Sequence, residues 1–156
     1  MIGIYPGTFD PITNGHLDII ERACRICNRL FIAIGNNPEK KCSFDLDTRM
    51  RLIRESVRDH PEIEVTSFEG LLVDAAKKVG ADVIIRGLRA ISDYELEVQM
   101  AIMNRQLDPN VDTVIMVASK DWSFISSSLI KEIHDFGGDI SPFVPPAVLK
   151  EFNKAT

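Results

Sequence analysis

Residues 2–35 read IGIYPGTFDPITNGHLDIIERACRICNRLFIAIG: a short apolar run, a polar loop, an amphipathic stretch and a second apolar run. The runs at 2–5 and 30–34 are rich in β-branched residues, as buried strands are. Between the runs, apolar residues recur at spacings of three and four, as on one face of a helix: Leu17, Ile20, Cys24 and Cys27. A strand, a helix and a second strand in this order predict a βαβ unit with parallel strands.

The alternation of strands and helices continues to the end of the chain. Further apolar runs predict three more strands, at 63–68, 83–85 and 113–117. Amphipathic stretches predict helices at 46–57, 71–79, 94–107, 129–136 and 147–152, with Gly80 as a C-cap. Nearly continuous apolar strands are typical of a parallel sheet covered on both faces. We therefore expect an α/β fold, an open, doubly wound, five-stranded parallel sheet of the Rossmann-like type, in a single domain over residues 1–156.

The composition excludes several classes of protein. The 156 residues are 45% hydrophobic and 26% charged, which is not the composition of a disordered chain. The longest apolar runs are far shorter than a membrane span, and no basic segment precedes the first strand. We therefore expect no membrane association, no signal peptide and a cytoplasmic protein. The net charge of −5, from 23 acidic and 18 basic residues, disfavours nucleic acid as a partner.

The cysteines and histidines do not form a recognisable redox or metal motif. Cys24 and Cys27 spell C-x-x-C, but they come late in the first helical pattern, whereas a redox pair needs its first thiol at a helix N-terminus. We interpret both as core residues. No group of histidines, cysteines and carboxylates has the spacing of zinc ligands, so no metal held by protein ligands is predicted. His60 and His134 are interpreted as structural or surface residues.

Polar residues and glycines follow every predicted strand. Because the carboxyl ends of parallel strands lie at one edge of the sheet, these segments should meet there. Cationic side chains and helix N-termini, in a protein of net negative charge, indicate a phosphorylated ligand such as a nucleotide. The segments are residues 6–16, 40–41, 69–72, 86–89 and 122–128.

The first of these segments has an unusual histidine. Neither the G-x-G-x-x-G fingerprint nor the G-x-x-x-x-G-K-[ST] P-loop occurs, so phosphates must be held in another way. Thr13 or Asn14 is expected to cap the first helix, and Gly15 would let a ligand approach the backbone. His16 then lies in the first turn, where the helix dipole lowers its pKa and favours a neutral ring that donates a hydrogen bond. The alternative is an ordinary surface histidine.

The remaining segments each have a functional and a structural interpretation. The serines at 126–128 either bind phosphate oxygens at a helix start or simply cap that helix. Arg86 and Arg89 suit bidentate phosphate contacts, although a lone arginine is often a surface charge. Lys40 and Lys41 are weaker candidates, because lysine pairs in loops are usually solvated. Residues 128–131 spell S-x-x-K, but its companion motifs S-D-N and K-T-G are absent, so we discard a penicillin-binding enzyme.

Three stretches resemble one known family. Residues 7–16, GTFDPITNGH, resemble the T/HxGH signature of the nucleotidylyltransferase superfamily, and residues 122–128, WSFISSS, resemble its second signature. Residues 85–90, IRGLRA, together with YPGT at 5–8, are similar to the bacterial phosphopantetheine adenylyltransferases within that superfamily. The resemblance extends over essentially the whole chain and implies the nucleotidylyltransferase version of the Rossmann-like fold.

The resemblance implies transfer of AMP from ATP to 4′-phosphopantetheine, giving dephospho-coenzyme A and pyrophosphate, with Mg²⁺ as cofactor. It implies catalytic roles for Thr8, His16, Lys40 and Arg89. Contacts with phosphopantetheine would come from Thr8, Lys40, Leu72 and Arg86. Residues around ATP would be Thr8, Phe9, His16, Gly87, Leu88, Arg89, Glu97, Trp122, Ser123, Phe124, Ile125, Ser126, Ser127 and Ser128. The family is further expected to form a homohexamer and to bind coenzyme A as a feedback ligand.

Two other functions remain possible on the same fold. One is a related nucleotidylyltransferase that acts on nicotinamide mononucleotide or makes cytidylyl products; the segment 86–89 and the chain length argue against it. The other is a nucleotide-binding sensor without activity, since fold alone does not determine function. An inactive sensor would not need the residues expected to act in catalysis, but all of them are present: Thr8, His16, Lys40 and Arg86. The helix at 94–107 carries Leu96, Met100 and Met103 for either core or subunit contacts.

Overall fold

A computed structural model describes residues 1–154, and in this range five parallel strands form one sheet flanked by helices. The strands are β1 (Ile2–Gly7), β2 (Arg29–Gly35), β3 (Ile63–Phe68), β4 (Val83–Leu88) and β5 (Asp112–Val117). The helices are α1 (Asn14–Ala23), α2 (Leu46–Ser56), α3 (Leu72–Val79), α4 (Ile91–Leu107), α5 (Ser127–Asp135) and α6 (Pro146–Lys154). Every element expected from the sequence is present, and most of the element ends are displaced by a few residues. No helix within residues 1–154 combines the length and apolar composition that crossing a membrane requires.

The strand order, β3-β2-β1-β4-β5, makes the sheet doubly wound. The chain moves from β1 outward to β3, then returns to β4 on the other side of β1 and moves outward to β5. Right-handed crossovers then place the helices of the two halves on opposite faces. One core joins the sheet to α1, α2, α5 and α6, and a second core on the other face includes Ala76 of α3. The expected open, doubly wound parallel sheet is therefore confirmed.

The sheet opens between β1 and β4, where the order of the strands reverses. β1 pairs with β2 along its whole length, but with β4 only through Gly3 opposite Val83 and Ile4 opposite Ile84. Pro6, two residues further along β1, has no N–H to continue that ladder. The carboxyl ends of β1 and β4 therefore leave a crevice at the point where ligands bind in sheets of this kind.

Two local expectations were wrong. β4 continues to Leu88, so Arg86 lies within the strand rather than after it. α1 ends at Ala23, because the chain turns back toward β2 there, and Cys24 is its C-cap. Cys27 lies beyond the helix but is buried. Its Sγ packs on Gly3 so closely that a Cβ added to Gly3 would lie 2.7 Å from this sulfur. The core assignment of Cys27 is thus confirmed, and Cys24 is half-buried and packs against the same core.

Two helix ends follow the capping rules expected from the sequence. The Thr13 side chain caps α1 by accepting from the N–H of His16, and Gly80 ends α3 with a left-handed φ of 68°. α4 differs from the other helices, because its one buried residue, Glu97, is charged. Leu96, Met100 and Met103 are exposed, so the core alternative for these three side chains is wrong.

Candidate active site

A cavity of about 580 Å³ lies at the carboxyl ends of β1 and β4. The loops that follow β1, β2 and β5 form the rest of its wall, as the position of the strand reversal requires. Most of the residues singled out in the sequence line this cavity: Thr8, Phe9, His16, Lys40, Arg86, Gly87, Arg89, Glu97, Trp122, Ile125, Ser126, Ser127 and Ser128.

Four expected site residues lie outside the cavity wall. Leu72 is the first residue of α3 and packs against the second core, which lies on the same face of the sheet as Ala76. Leu88 is the last residue of β4. Ser123 donates its hydroxyl to the carbonyl of Lys120, and Phe124 packs edge-on against the Phe143 ring. These four side chains therefore do not line the cavity, although Leu88, Ser123 and Phe124 are next to residues that do.

His16 is positioned by the start of α1. Its Nδ1 accepts a hydrogen bond of 3.0 Å from the backbone N–H of Thr13, and its ring contacts Phe9 at a centroid distance of 4.9 Å. Because Nδ1 is an acceptor, the proton of the neutral ring lies on Nε2. His16 is half-buried and belongs to the helix cap, so the interpretation as an exposed surface histidine is wrong.

The pKa of His16 is lowered to about 4, first by burial and second by the positive charge of Arg89. The direction agrees with the one expected from the sequence, and burial and Arg89 are causes that the sequence did not indicate. His16 is therefore a neutral hydrogen-bond donor throughout the physiological pH range.

Removal of the Arg89 charge is expected to raise the pKa of His16 partway from about 4 toward its ordinary value of 6.5. Between these two values the unfolded chain binds the proton and the folded chain does not, so the free energy of unfolding falls as pH drops through that window. In Arg89→Gln the folded pKa of His16 is higher, so the pH range over which stability falls should have its lower limit at a higher pH and be narrower. NMR titration of the histidine ring in the wild type and Arg89→Gln measures the shift; an unchanged value would show that burial alone sets it.

Thr8 and Lys40 meet across the cavity mouth, although they are far apart in the sequence. Lys40 Nζ donates to Thr8 Oγ1 at 2.9 Å. Thr8 follows β1 and Lys40 follows β2, and both side chains line the cavity. An ammonium beside a hydroxyl forms a binding position for one phosphate group.

Two buried charged residues, Asp10 and Arg49, hold these loops together. Asp10 accepts from the backbone N–H groups of Ser43 and Phe44 and from Lys131 Nζ. Arg49 of α2 donates to the carbonyls of Phe44 and of Thr8. Burial alone would raise the pKa of Asp10, but these donated hydrogen bonds together lower it, so Asp10 is a carboxylate.

Sequence reasoning missed Asp10, Arg49 and Lys131. Arg49 had a signal, since it lies three residues from Leu46 and from Leu52 on the buried face of α2. Lys131 lies one helical turn after Ser127 and therefore faces the same side of α5. Asp10 belongs to the segment at residues 7–16, but its hydrogen-bond partners are more than thirty residues away in the chain.

Arg86 reaches the cavity from β4 as one member of an ion pair. Its Nε and Nη2 each donate to Glu97 at 2.7 Å, and Nη1 is 3.4 Å from the carbonyl of Pro6. Glu97, on α4, is 7% exposed, and its carboxylate raises the pKa of Arg86. The pair fixes the guanidinium at the crevice between β1 and β4, with Nη1 as its remaining donor.

The N-terminus of α5 forms the opposite wall. Ser126 caps the helix by accepting from the N–H of Leu129, and Ser127 donates to the carbonyl of Pro11. Arg89 is anchored beside them by a bond of 3.1 Å to the carbonyl of Ile125. Two of the three serine hydroxyls thus have structural partners, and the capping interpretation is confirmed for Ser126. The first-turn N–H groups of α5 still present positive potential to the cavity.

The chain matches known proteins over nearly its full length. The sequence model of the Cytidylyltransferase-like family matches residues 4–133. A protein of Alkaliphilus metalliredigens named phosphopantetheine adenylyltransferase is 51% identical over 98% of this chain and 98% of its own length. Proteins of the same name from Heliobacterium modesticaldum and Clostridium kluyveri are each 51% identical, over 95% and 97% of this chain and 88% and 95% of their own lengths. The protein therefore belongs to the phosphopantetheine adenylyltransferase family of nucleotidyltransferase enzymes.

Proposed function

We propose that this protein transfers the adenylyl group of ATP to the phosphate of 4′-phosphopantetheine, giving dephospho-coenzyme A and pyrophosphate. The observation that carries the proposal is the cavity at the strand reversal, which is lined by Lys40, Arg86, Arg89 and the start of α5 together with His16. Such a set of cations and N–H groups suits two polyanionic substrates brought together. The names of the relatives supply the identity of the substrates.

The reaction needs no general base. A phosphate monoester is mostly dianionic at neutral pH, because its second pKa is about 6, and it attacks the α-phosphorus of ATP directly. A P–O bond forms between the acceptor phosphate and the α-phosphorus, and the bond to pyrophosphate breaks with its electron pair leaving on pyrophosphate. The protein's contribution is in-line positioning and stabilisation of negative charge.

The residues divide this work between them. Thr8 and Lys40, joined at 2.9 Å, would hold the acceptor phosphate for attack. His16 Nε2–H would donate to the α-phosphate as negative charge develops there. Arg86 would bind the acceptor through Nη1, and Leu72 would line the pantetheine arm on substrate binding. Arg89 and the N–H groups at the start of α5 would bind the phosphates of ATP.

The remaining proposed contacts surround the nucleotide. Phe9, Gly87 and Leu88 would lie along the ATP molecule beside His16, with Glu97 at its far side. The segment of Trp122, Ser123, Phe124, Ile125, Ser126, Ser127 and Ser128 would close over the phosphates. Glu97 would reach ATP only by releasing part of its pairing with Arg86.

The cavity suits Mg²⁺ that is held by the nucleotide rather than by protein ligands. Its three carboxylates are all engaged: Asp10 with Lys131, Glu97 with Arg86 and Asp93 with Arg89. A bound Mg²⁺ would supply positive charge that stabilises the negative charge developing on the pyrophosphate. The carboxylates would orient the cations that contact the same phosphates.

No covalent enzyme intermediate is proposed, so the cysteines should be dispensable. In the metal-free protein, burial first, and then the hydrogen bond with Glu62, raises the pKa of Cys24 to about 12, so Cys24 is a neutral thiol at physiological pH and not a nucleophile. Cys24→Ala and Cys27→Ala should keep kcat within about a factor of two of the wild type. Steady-state kinetics of both variants would check this, and a large loss of kcat in a folded variant would contradict direct transfer.

We further propose a cytoplasmic homohexamer that binds coenzyme A as a feedback ligand. The exposed apolar side chains of α4, among them Leu96, Met100 and Met103, supply surface for contacts between copies. Light scattering after size-exclusion chromatography measures the number of copies, and competition of coenzyme A with ATP tests the feedback ligand. A monomer at micromolar concentration would contradict the hexamer.

The first experiment is a pyrophosphate-release assay with ATP, Mg²⁺ and 4′-phosphopantetheine, with nicotinamide mononucleotide as the alternative acceptor. Release with phosphopantetheine alone supports the proposal. Release with nicotinamide mononucleotide instead identifies a related nucleotidylyltransferase, and release with neither, from protein that binds ATP, identifies a sensor. The reverse reaction, ATP formation from dephospho-coenzyme A and pyrophosphate, is an independent check.

A further inference from the structure

Three side chains with metal-binding atoms meet at the edge of the sheet opposite the cavity. Cys24 caps the C-terminus of α1, while His60 and Glu62 lie in the turn that leads into β3. One ligand atom from each side chain lies within 4.8 Å of the other two, and His60 Nδ1 is 3.0 Å from Glu62 Oε1. All three side chains are half-buried, so each is partly exposed to solvent. The proposed adenylyl transfer uses none of them.

We propose that Cys24, His60 and Glu62 bind one zinc ion, with water as the fourth ligand. A thiolate, an imidazole and a carboxylate together are a donor set that zinc prefers. Mg²⁺ prefers oxygen ligands alone and would not compete effectively for this position. The spacing of these residues in the sequence gave no indication of the site, because it joins the end of α1 to the start of β3.

The distances between the side chains suit a tetrahedral zinc ion after small rotations. Bonds of about 2.3 Å to sulfur and about 2.0–2.2 Å to nitrogen and oxygen place neighbouring ligand atoms about 3.3–3.6 Å apart. The observed atoms are within 4.8 Å before any metal pulls them together. We expect rotation about the side-chain bonds to bring the ligand atoms to these distances.

The backbone of all three residues is already ordered. The N–H of Cys24 bonds to the carbonyl of Ile20, and the carbonyl of Glu62 accepts from Leu30 of β2. The N–H of His60 bonds to Val57, and its carbonyl accepts from Ile63. Binding therefore orders side chains alone, which keeps its entropic cost low.

The local charge also favours a cation. The Glu62 carboxylate contacts both Cys24 and His60, and Glu21 adds a further negative charge close to Cys24. On binding, the zinc–sulfur bond replaces the S–H bond of Cys24 and the proton goes to solvent. Thiolate and carboxylate then balance the two positive charges of the ion, and no oxidation or reduction occurs.

The test is zinc binding by untagged, chelator-treated protein without nucleotide. Calorimetry with zinc chloride should show one equivalent per chain with micromolar or tighter affinity, and Co²⁺ should give the near-ultraviolet charge-transfer band of a thiolate ligand. Cys24→Ala and His60→Ala should each weaken binding at least ~10-fold and Cys24→Ala should abolish the band. Cys42→Ala, which removes a half-buried thiol outside the cluster, is the matched control and should bind as the wild type does.

Zinc should also raise the Tm of the wild type and of Cys42→Ala, but not that of Cys24→Ala. Circular dichroism and ATP binding of the metal-free variants verify that they fold. No zinc binding by the wild type at micromolar concentration would overturn the proposal. Equal binding by folded Cys24→Ala and His60→Ala would also overturn it, because the ion would then lie elsewhere.

Discussion

His16→Asn is expected to lower kcat at least ~10²-fold while leaving the fold intact. In the wild type, Nδ1 accepts from the N–H of Thr13, which leaves Nε2–H as the donor toward the α-phosphate. The Asn side-chain oxygen takes the place of Nδ1 in the helix cap, but asparagine has no group at the position of Nε2. Loss of one donor to a developing charge typically costs ~10²–10³ in kcat. Single-turnover measurements with saturating ATP and acceptor separate this chemical step from product release.

His16→Gln is the matched control, because its side-chain NH₂ reaches approximately the position of Nε2. We expect it to recover part of the lost turnover, although it does not preserve the bond to Thr13. His16→Ala removes both functions and should also lower stability, since the ring packs on Phe9 and completes the cap of α1. Wild-type turnover in a folded His16→Asn variant would exclude the role proposed for His16.

Arg86→Leu is expected to weaken acceptor binding and to destabilise the fold. The variant leaves the Glu97 carboxylate, which is 7% exposed, without its bidentate partner. Breaking a buried ion pair by removing one member costs about 3 kcal/mol, and somewhat less here because Arg86 itself is partly exposed. Loss of a charged contact to the acceptor phosphate should raise the KM for phosphopantetheine at least ~10-fold. Thermal unfolding and initial-rate kinetics measure the two effects separately.

The double variant Arg86→Leu with Glu97→Leu distinguishes the two roles of the arginine. It removes the unpaired carboxylate, so it should be more stable than Arg86→Leu alone. Its affinity for phosphopantetheine should remain low, because the guanidinium is still absent. Recovery of acceptor binding together with stability would show that Arg86 acts only through the fold. A selective loss of ATP affinity in Arg86→Leu would refute the placement of Arg86 on the acceptor side.

Local patterns in the sequence were reliable where the interactions themselves are local. The strand at 63–68 and the C-cap at Gly80 were predicted with their observed limits, because strand composition and left-handed glycine caps depend on near neighbours. The helical spacing of Cys24 and Cys27 predicted a longer α1, but the helix ends at Ala23. Spacing alone does not distinguish the last turn of a helix from the tight turn that follows it.

The candidate site was only partly predictable. The position of His16 in the first turn followed from capping rules, but its half-buried ring and the effect of Arg89 depend on residues brought from β4. Likewise, Leu72 follows β3 in the chain, yet it packs on the opposite core rather than in the cavity. The sequence shows which segments lie at the carboxyl edge of the sheet. It does not show which of their side chains line the cavity.

The sequence by itself determined the order of strands and helices, the parallel sheet and the polar segments at its carboxyl edge. These follow from periodicity, capping and turn chemistry, all of which act over a few residues. Only the tertiary structure decided that Glu97 holds Arg86, that Asp10 and Arg49 tie the loops around Thr8, and that Cys24, His60 and Glu62 meet. These contacts join separate elements and loops, and their geometry is set by how the helices pack on the twisted sheet, which no local pattern specifies.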